Sequence, residues 1–300
     1  MSRSDRRISR RAMLTRSAQA ATIITVSNHL QPLFAMTEDR QPKSRGFKIG
    51  ACDWSLGRSC DTAAFDVAKE IGLDGVQISM GTLANDMQLR RPSIQKAYLA
   101  AAKRTGMEIG SLAIGQMNSV PLKSDPRAAQ WLLDSVDICK AMGLSISMPA
   151  MFGAGDIDMT NTAEVDHLVK VVKAAARRAE DAGVMIALEN YLSAEDNMTI
   201  IDRVGSPAVG VYYDVGNSTD KGRDVYKEIR TLGKLVLEVH AKDGPHILGQ
   251  GRVDFEKVRL ALDDIEYRGW IVLESAKPDG VVPSYTAQCK FLRRIFPRDV

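Results

Sequence analysis

The 300-residue chain has little of what marks several specialised protein classes. Its four cysteines lack the paired spacing of a zinc site, so scattered core or loop thiols are favoured. A Cys52–Cys60 disulfide is the alternative if the protein is exported. No apolar run reaches the ~20 residues of a transmembrane helix, so no stable membrane span is expected.

The chain also lacks a basic body. Six arginines and a single acid, Asp5, lie within residues 1–36. Taking these away from the 40 basic and 37 acidic residues leaves 34 and 36, a net charge of −2. The remainder therefore has no net basic footprint for nucleic acid, and none is expected as a partner.

The arginine-rich N-terminal segment has the features of an export signal. The segment "SRRAML", Ser9–Leu14, precedes the short apolar run "AQAATIITV". Paired arginines after a serine are typical of the twin-arginine signal, which exports folded proteins. We therefore predict an export leader at residues 1–36, read by the twin-arginine export machinery, and a polar linker at 37–46. The alternative is a basic tail without this function, which would leave the protein in the cytoplasm.

From Phe47 to the C-terminus, short apolar runs alternate with longer amphipathic segments. Alternation of this kind implies parallel strands joined by helices, and eight such units match a (β/α)8 TIM barrel of ~250 residues. We predict one such α/β domain over residues 47–300. A doubly wound sheet is the alternative, but "CDWSLGRSC" after the first strand lacks its glycine-rich turn. The predicted strands are KIGACDW, GVQIS, EIGSLAIG, LSISMP, VMIALEN, VGVYYDV, LVLEVHA and WIVLES. The predicted helices lie near 61–71, 93–105, 126–142, 162–182, 195–203, 222–231, 254–264 and 284–296.

Acidic and imidazole side chains follow four successive strands in the second half of the chain. They are Glu189, Asp214, His240 and Glu274. The carboxyl ends of barrel strands share one face, so these side chains should converge. Three clustered carboxylates need a cation to avoid raised pKa values or lost stability. Three oxygen ligands and one imidazole suit Mn²⁺, Mg²⁺ or Co²⁺, with Zn²⁺ possible, so one divalent ion is predicted.

A family resemblance rests on motifs at these strand ends: "ALEN", "YYDVGN", "VHAKD", "GQGRVDF" and "GWIVLES". From Phe47 onward the chain resembles the xylose isomerase-like barrel superfamily, in particular its sugar phosphate isomerase/epimerase group. The resemblance implies that the four residues bind one divalent ion and that Glu189 and Glu274 also carry the proton. It further implies a carbohydrate or polyol substrate with a carbonyl beside a hydroxyl.

The chemistry of such a site follows from its parts. A metal that chelates a carbonyl and the neighbouring hydroxyl acidifies the C–H bond between them. One carboxylate removes the proton to give a metal-bound enediolate, and a second can return a proton to the opposite face. We therefore predict a divalent-metal-dependent sugar isomerase or epimerase. Lys242 could stabilise the developing oxyanion.

Three positions depart from the pattern of similar epimerases. Asn217 stands where a histidine is frequent, Lys242 where an arginine is frequent, and Gln77 where a strand-two glutamate is frequent. A keto-sugar or inosose dehydratase or lyase is thus an alternative, as is a barrel that binds carbohydrate without turnover. The Glu189–Glu274 pair favours an enzyme. The predicted substrate-binding residues are Lys242, Asn217, Gln77, Trp54, Tyr191 and His246.

Three further expectations concern the mouth of the barrel. The apurinic endonuclease of the same superfamily has a histidine-rich site for three zinc ions. This chain has four histidines, and only two of them are expected near the mouth, so it cannot form such a site. In "GQGRVDF", Asp254 should cap the next helix and Gly249 and Gly251 should serve as turn glycines, with phosphate contact the weaker option. No arginine immediately adjoins the strand-end acids of the second half, so an unphosphorylated substrate is expected.

Overall fold

The computed structural model describes residues 46–298, and its core is a closed barrel of eight parallel strands in chain order. The predicted leader, and the linker except its last residue, lie outside this range. The (β/α)8 prediction is confirmed, with a strand within each predicted apolar run. The strands are β1 Lys48–Cys52, β2 Gly75–Ser79, β3 Glu108–Ile114, β4 Ile146–Pro149, β5 Met185–Leu188, β6 Val209–Asp214, β7 Val236–Ala241 and β8 Trp270–Leu273.

Helices surround the strands, and their ends carry the signals expected from the sequence. Asp125 and Asn161 accept hydrogen bonds from backbone N–H groups in the first turns of their helices. The helices are α1 Ala64–Ile71, α2 Pro92–Thr105, α3 Pro126–Met142, α4 Thr162–Ala182, α5 Ala194–Val204, α6 Val215–Asp220, α7 Val225–Leu232, α8 Phe255–Asp264 and α9 Val281–Ile295. Within residues 46–298, no helix combines the length and apolarity needed to cross a membrane.

The short helix α6 was not predicted. It begins directly where β6 ends, because Asp214 Oδ1 accepts hydrogen bonds from the backbone N–H groups of Gly216 and Asn217 at 2.8 and 2.9 Å. Glycine and asparagine are weak helix formers, so helix propensity alone does not indicate a helix here. The cap at Asp214 overrides that preference and ties the strand end to the first turn of α6.

The inside of the barrel is filled by side chains that form a core separate from the layer under the helices. At the amino end, the Trp270 ring lies across Gly50, Gly75 and Gly110. A Cβ atom on these glycines would come within 3.2, 2.7 and 3.2 Å of the ring, so larger residues there would crowd it. Filling this end leaves the carboxyl end as the place for a site. The inner core consists of Cys52, Ala113, Met148, Ala150, Ala187, Tyr212 and Val272, packed against neighbours that include Trp54 and Trp270.

Candidate metal centre

The four predicted ligands meet at the carboxyl end of the barrel. Asp214 is the last residue of β6 and pairs in register with His240 of β7. Glu189 and Glu274 directly follow β5 and β8. One ligand atom from each of the four residues can be chosen so that all lie within 4.8 Å of one another. The strand ends therefore bring three carboxylates and one imidazole to a common point.

His240 lies at the centre of this cluster and has no exposed surface. Its Nδ1 atom is 2.6 Å from Glu189 Oε1 and 3.9 Å from Glu274 Oε2. Its Nε2 atom lies 3.0 Å from Gln77 Oε1 and 3.3 Å from Cys52 Sγ. Burial alone lowers the pKa of His240, but the contacts with Cys52 and Glu189 outweigh it, and the pKa is raised well above its usual value.

Asp214 presents one satisfied and one unsatisfied carboxylate oxygen. Oδ1 caps α6, whereas Oδ2 is buried with no hydrogen-bond partner among residues 46–298. Burial raises the pKa of Asp214 to about 7, although the positive charge of Lys242, 3.6 Å away, opposes the shift. A buried carboxylate oxygen without a donor is costly, and a bound cation would remove that cost.

Glu274 is the most accessible of the three acids, with 24% of its side chain exposed. Its Oε1 accepts a hydrogen bond from Trp54 Nε1 at 3.0 Å, and its Oε2 accepts one from Lys242 Nζ at 3.0 Å. Burial favours a higher pKa for Glu274, but His240, Lys242 and the Trp54 bond outweigh it, so the pKa is lowered. Glu274 is thus ionised near neutral pH.

The donor set fits a divalent cation. Against the three acids stands one lysine, Lys242, which is shared between Glu274 and Asp214. An oxygen-rich set with a single imidazole is the kind that Mn²⁺, Mg²⁺ and Co²⁺ accept. Asp214 Oδ2, which accepts no hydrogen bond among the described residues, supplies an oxygen ligand in the same cluster.

The residues predicted to contact substrate occupy three different settings. Trp54 and Lys242 border the cluster through their bonds to Glu274. Tyr191 stands at the rim, with its ring 4.6 Å from that of Phe152 and 4.5 Å from Lys221 Nζ. His246 is exposed on the loop after β7.

The other two predicted contacts are buried. Asn217 is 6% exposed in the first turn of α6, where its backbone N–H serves the Asp214 cap. Gln77 is 1% exposed and lies against the Nε2 side of His240, away from Glu189. Neither position offers a broad surface to a molecule in the mouth.

Asp243 holds the glycine-containing loop between β7 and α8. Its carboxylate accepts backbone hydrogen bonds from Gly251, Arg252 and Val253 at 3.1, 2.8 and 3.1 Å. Gly249 adopts a φ of 82°, as expected of a turn glycine, and Asp254 caps α8 by accepting from the first helical N–H groups. The loop amides that could have met a phosphate are therefore bonded to the chain's own carboxylate.

One contributor to the site, Cys52, escaped the sequence interpretation. All four cysteines are free, so the Cys52–Cys60 disulfide is not formed, and the Cys52 thiol instead reaches His240 and Gln77. Burial raises the pKa of this thiol to about 12, which keeps it protonated. The pairing of Cys52 with Gln77 in the β1–β2 register could have suggested this contact once the register was known.

Comparisons with known proteins agree with the barrel and its motifs. The family described as "Xylose isomerase-like TIM barrel" matches residues 65–295. A 2-epi-5-epi-valiolone 7-phosphate 2-epimerase from Actinoplanes sp. is 26% identical over 82% of this chain and 94% of that protein. A ketose 3-epimerase from Arthrobacter globiformis is 22% identical over 76% and 82% of the two chains.

A solved structure resembles the fold over most of its length. It is a D-psicose 3-epimerase with D-tagatose from Clostridium cellulolyticum H10, with a TM-score of 0.70, 19% identity, and coverage of 83% of this chain and 99% of that one. The match to the family covers well over half of the sequence, and homologues of the chain are sugar epimerases. The chain belongs to the xylose isomerase-like TIM barrel family.

Proposed function

We propose that this protein is a divalent-metal-dependent sugar epimerase or isomerase that works by proton transfer through an enediolate. The observation that carries the proposal is the convergence of Glu189, Asp214, His240 and Glu274 within 4.8 Å, with one buried Asp214 oxygen that accepts no hydrogen bond among the described residues. Epimerase relatives support the same class of reaction.

The four residues would hold one divalent ion, with Mn²⁺, Mg²⁺ and Co²⁺ the best fits and Zn²⁺ possible. Such an ion supplies Lewis acidity, which polarises a carbonyl and its neighbouring hydroxyl and so acidifies the C–H bond between them. The chain's part is to fix the donors in place: the cap on α6 holds Asp214, and Gln77 and Glu189 hold His240 from its two ring nitrogens.

Glu189 and Glu274 are proposed as the proton carriers. Glu274 has its pKa lowered by the nearby cations, so it is present as a carboxylate that can accept a proton. Glu189 Oε1 lies 2.6 Å from His240 Nδ1, the ring nitrogen that Glu274 Oε2 approaches to 3.9 Å, and 4% of the Glu189 side chain is exposed. Return of the proton by the second carboxylate inverts the carbon, whereas return by the same one to the adjacent carbon interconverts aldose and ketose.

Lys242 is proposed to steady the negative charge that develops on the substrate oxygen. Its Nζ already lies 3.0 Å from Glu274 and 3.6 Å from Asp214, and 27% of its side chain is exposed toward solvent. Burial lowers the pKa of Lys242, but Asp214 and Glu274 outweigh it and the pKa is raised, so the side chain is a cation. A fixed cation beside the base is the arrangement that oxyanion stabilisation needs.

The substrate is proposed to be an unphosphorylated keto-sugar or polyol. Asp243 accepts hydrogen bonds from three amides of the glycine-containing loop, which are then not free to bind a phosphate, and the Arg252 guanidinium pairs with Asp220. Tyr191 and Phe152 offer an aromatic rim on which a sugar face could stack. The name of the Actinoplanes relative includes a 7-phosphate, so the proposed substrate differs from that relative's in lacking a phosphate group.

The proposal is tested by turnover in D₂O. The purified protein, stripped with EDTA and reloaded with Mn²⁺, Mg²⁺ or Co²⁺, is incubated with a panel of ketoses and inososes, and products are identified by NMR. We expect metal-dependent formation of an epimer or isomer that carries deuterium at the reacting carbon. Loss of water from the substrate would point to a dehydratase, and binding without any product would point to a carbohydrate-binding barrel.

We further propose that residues 1–36 export the folded enzyme through the twin-arginine route, leaving residues 47–300 as the working domain outside the cytoplasm. Support comes from Arg10 and Arg11 after Ser9 and from the short apolar run that follows. Changing Arg10 and Arg11 to lysine should retain the protein in the cytoplasm in a folded state, as measured by fractionation. Unchanged export of this double variant would show that another route is used.

A further inference from the structure

The loop after β5, residues 190–193, is held at the barrel mouth by side chains that lie outside it. The backbone carbonyl oxygen of Tyr191 accepts a hydrogen bond from Arg223 Nη2 at 2.6 Å, and that of Leu192 accepts one from Arg223 Nη1 at 3.1 Å. Arg223 lies in the short connection between α6 and α7. One guanidinium therefore holds two successive residues of the loop that follows Glu189.

The guanidinium is itself held in place by a buried acid. Its Nε atom lies 3.7 Å from Oε1 of Glu228, which is 8% exposed. The Glu228 carboxylate also accepts hydrogen bonds from Ala194 N at 3.1 Å and from the Tyr213 hydroxyl at 2.8 Å. Because a guanidinium presents its donors in a rigid planar fork, this anchor fixes the direction of the two N–H groups that meet the loop.

Tyr191 is also contacted at its ring by the same connection. Lys221 Nζ lies 4.5 Å from the centroid of the Tyr191 ring, and the centroid of the Phe152 ring lies 4.6 Å away. The residue between Lys221 and Arg223 is Gly222, whose φ of 74° is a left-handed conformation that glycine adopts without strain. The connection between α6 and α7 therefore contacts Tyr191 at both its side chain and its backbone.

We propose that Arg223 is a positioning residue that fixes Tyr191 at the mouth and so raises the affinity for substrate, which rests on the proposed function, where Tyr191 offers a ring face to a sugar. A ring already fixed in the free protein loses less freedom when a ligand binds, so more of the contact energy contributes to affinity. Among the described residues, no hydrogen bond or ion pair joins Arg223 to the four proposed metal ligands. Its removal should therefore change KM rather than kcat or metal affinity.

The first measurement needs neither metal nor substrate. The full chain is labelled with meta-fluorotyrosine, and Tyr191→Phe identifies the ¹⁹F NMR signal of Tyr191 among those of the seven tyrosines. In Arg223→Met, which removes every donor at similar length, that signal should shift and narrow because the ring becomes more mobile. Arg223→Lys keeps the charge but loses the fork, so it should change the signal less.

The second measurement is steady-state kinetics with a sugar that the wild type converts. Arg223→Met should raise KM by up to roughly tenfold, the scale of ordering one side chain and its loop on binding, and should leave kcat within a few-fold of the wild type. The affinity for Mn²⁺, measured by electron paramagnetic resonance, should stay unchanged.

Arg230→Met is the matched control. Arg230 also donates to a backbone carbonyl, that of Tyr226, and to a carboxylate, that of Asp264, but neither partner belongs to the loop after β5. This variant should change neither KM nor the Tyr191 signal. An equal rise of KM in the two arginine variants would overturn the inference.

A double variant separates positioning of Tyr191 from a general loss of stability. If Arg223 acts through the Tyr191 ring, Arg223→Met should raise KM no further once Tyr191→Ala has removed that ring. An equal rise in the presence and in the absence of the ring would show that Arg223 acts by another route and would overturn the inference.

An unchanged Tyr191 signal or an unchanged KM in Arg223→Met would overturn it as well. Should Arg223→Met fail to fold, Arg223→Lys supplies the same comparisons with a smaller expected rise in KM. A wild type that converts no sugar would instead refute the proposed function, and the ¹⁹F signal would still support or overturn the hold of Arg223 on Tyr191.

Discussion

The two halves of the barrel mouth use buried acids in opposite ways. After β1, Asp53 is fully buried, but its carboxylate accepts hydrogen bonds from Ser79 N, Ser79 Oγ and Cys60 N at 2.8, 2.6 and 3.1 Å. After β6, Asp214 keeps one buried oxygen that accepts no hydrogen bond within the described range and has only the Lys242 ammonium nearby, at 3.6 Å. A carboxylate whose donors are all supplied by the chain is structural, whereas one left short of donors is a candidate for a ligand.

The half formed by β1 to β4 nevertheless supports the half formed by β5 to β8. Trp54 from the first loop bonds Glu274, and Gln77 from β2 bonds His240. The first half therefore contributes orientation while the second contributes charge. Four measurements test this division, from the largest expected effect to the smallest.

The largest effect should follow a change of the proposed base. Glu274→Gln keeps the size of the side chain but cannot accept a proton, so deuterium exchange into the substrate should fall by about 10²–10⁴-fold. Asp53→Asn is the control from the other half and should exchange within a few-fold of the wild type. Metal content is measured alongside, because full metal occupancy with lost exchange separates the proton role from ligation. Undiminished exchange in Glu274→Gln would contradict the mechanism.

A smaller effect concerns pH and the stability of the first half. Burial raises the pKa of Asp53 to about 6 in the folded protein, although hydrogen bonds from Ser79 and Cys60 oppose the shift. Since the unfolded chain titrates near the ordinary value of ~3.9, the folded state holds the proton more tightly. The resulting stabilisation is complete below about pH 4 and is lost as the pH rises through 6.

Asp53→Asn removes this titration. Between pH 4 and 7, the unfolding free energy of the wild type should fall relative to that of the variant by up to about 3 kcal/mol. Urea denaturation at each pH measures the difference, whatever the offset caused by lost hydrogen bonds. A difference that stays constant across this range would show that Asp53 does not titrate as its burial implies.

The next largest expected effect concerns the hydrogen bond that links the two halves, from Trp54 to Glu274. Trp54→Phe keeps an aromatic ring but removes the N–H donor to Glu274 Oε1, so kcat should fall by roughly tenfold, the usual worth of a hydrogen bond to a charged group. Trp270→Phe, at the opposite end of the barrel, should lower thermal stability and leave kcat near the wild-type value. Equal kcat values for the two variants would remove Trp54 from the positioning of the base.

The smallest expected difference concerns substrate charge. With the loop amides held by Asp243, a free sugar should give a higher kcat/KM than its phosphate. Competition between the two forms in one reaction mixture, followed by NMR, gives the ratio directly. A clear preference for the phosphate would show that cations at the rim, such as Lys221 near Tyr191, outweigh the closed loop.

The fold and the four-residue cluster could be predicted because each depends on periodic features of the sequence. Apolar runs at regular intervals gave the eight strands, and the acid or imidazole after each of the last four gave Glu189, Asp214, His240 and Glu274. Parallel strands bring such positions to one face whatever their exact bounds, so small errors at strand ends did not matter.

Contacts between side chains could not be predicted in this way. Gln77 was predicted as a substrate-binding residue, and its contacts with Cys52 and His240 follow from the β1–β2 register, which the sequence did not reveal. Trp54 was also predicted as a substrate-binding residue, and the hydrogen bond from its N–H to Glu274 was not foreseen. Register and rotamer decide these contacts, and neither leaves a signal in a single sequence.

The Trp270 ring fills the amino end of the barrel interior, where it lies across Gly50, Gly75 and Gly110. Above this ring, Tyr212, Glu238 and His240 are at most 1% exposed. Of the two proposed proton carriers, Glu274 is the more exposed, with 24% of its side chain accessible against 4% for Glu189. A proton carried by Glu274 would exchange quickly with bulk water, whereas a proton carried by Glu189 would exchange more slowly and would more often return to the substrate. The two carboxylates would then differ in the isotope that they deliver to the product: Glu274 would deliver hydrogen from the solvent, and Glu189 would deliver mainly the hydrogen removed from the substrate.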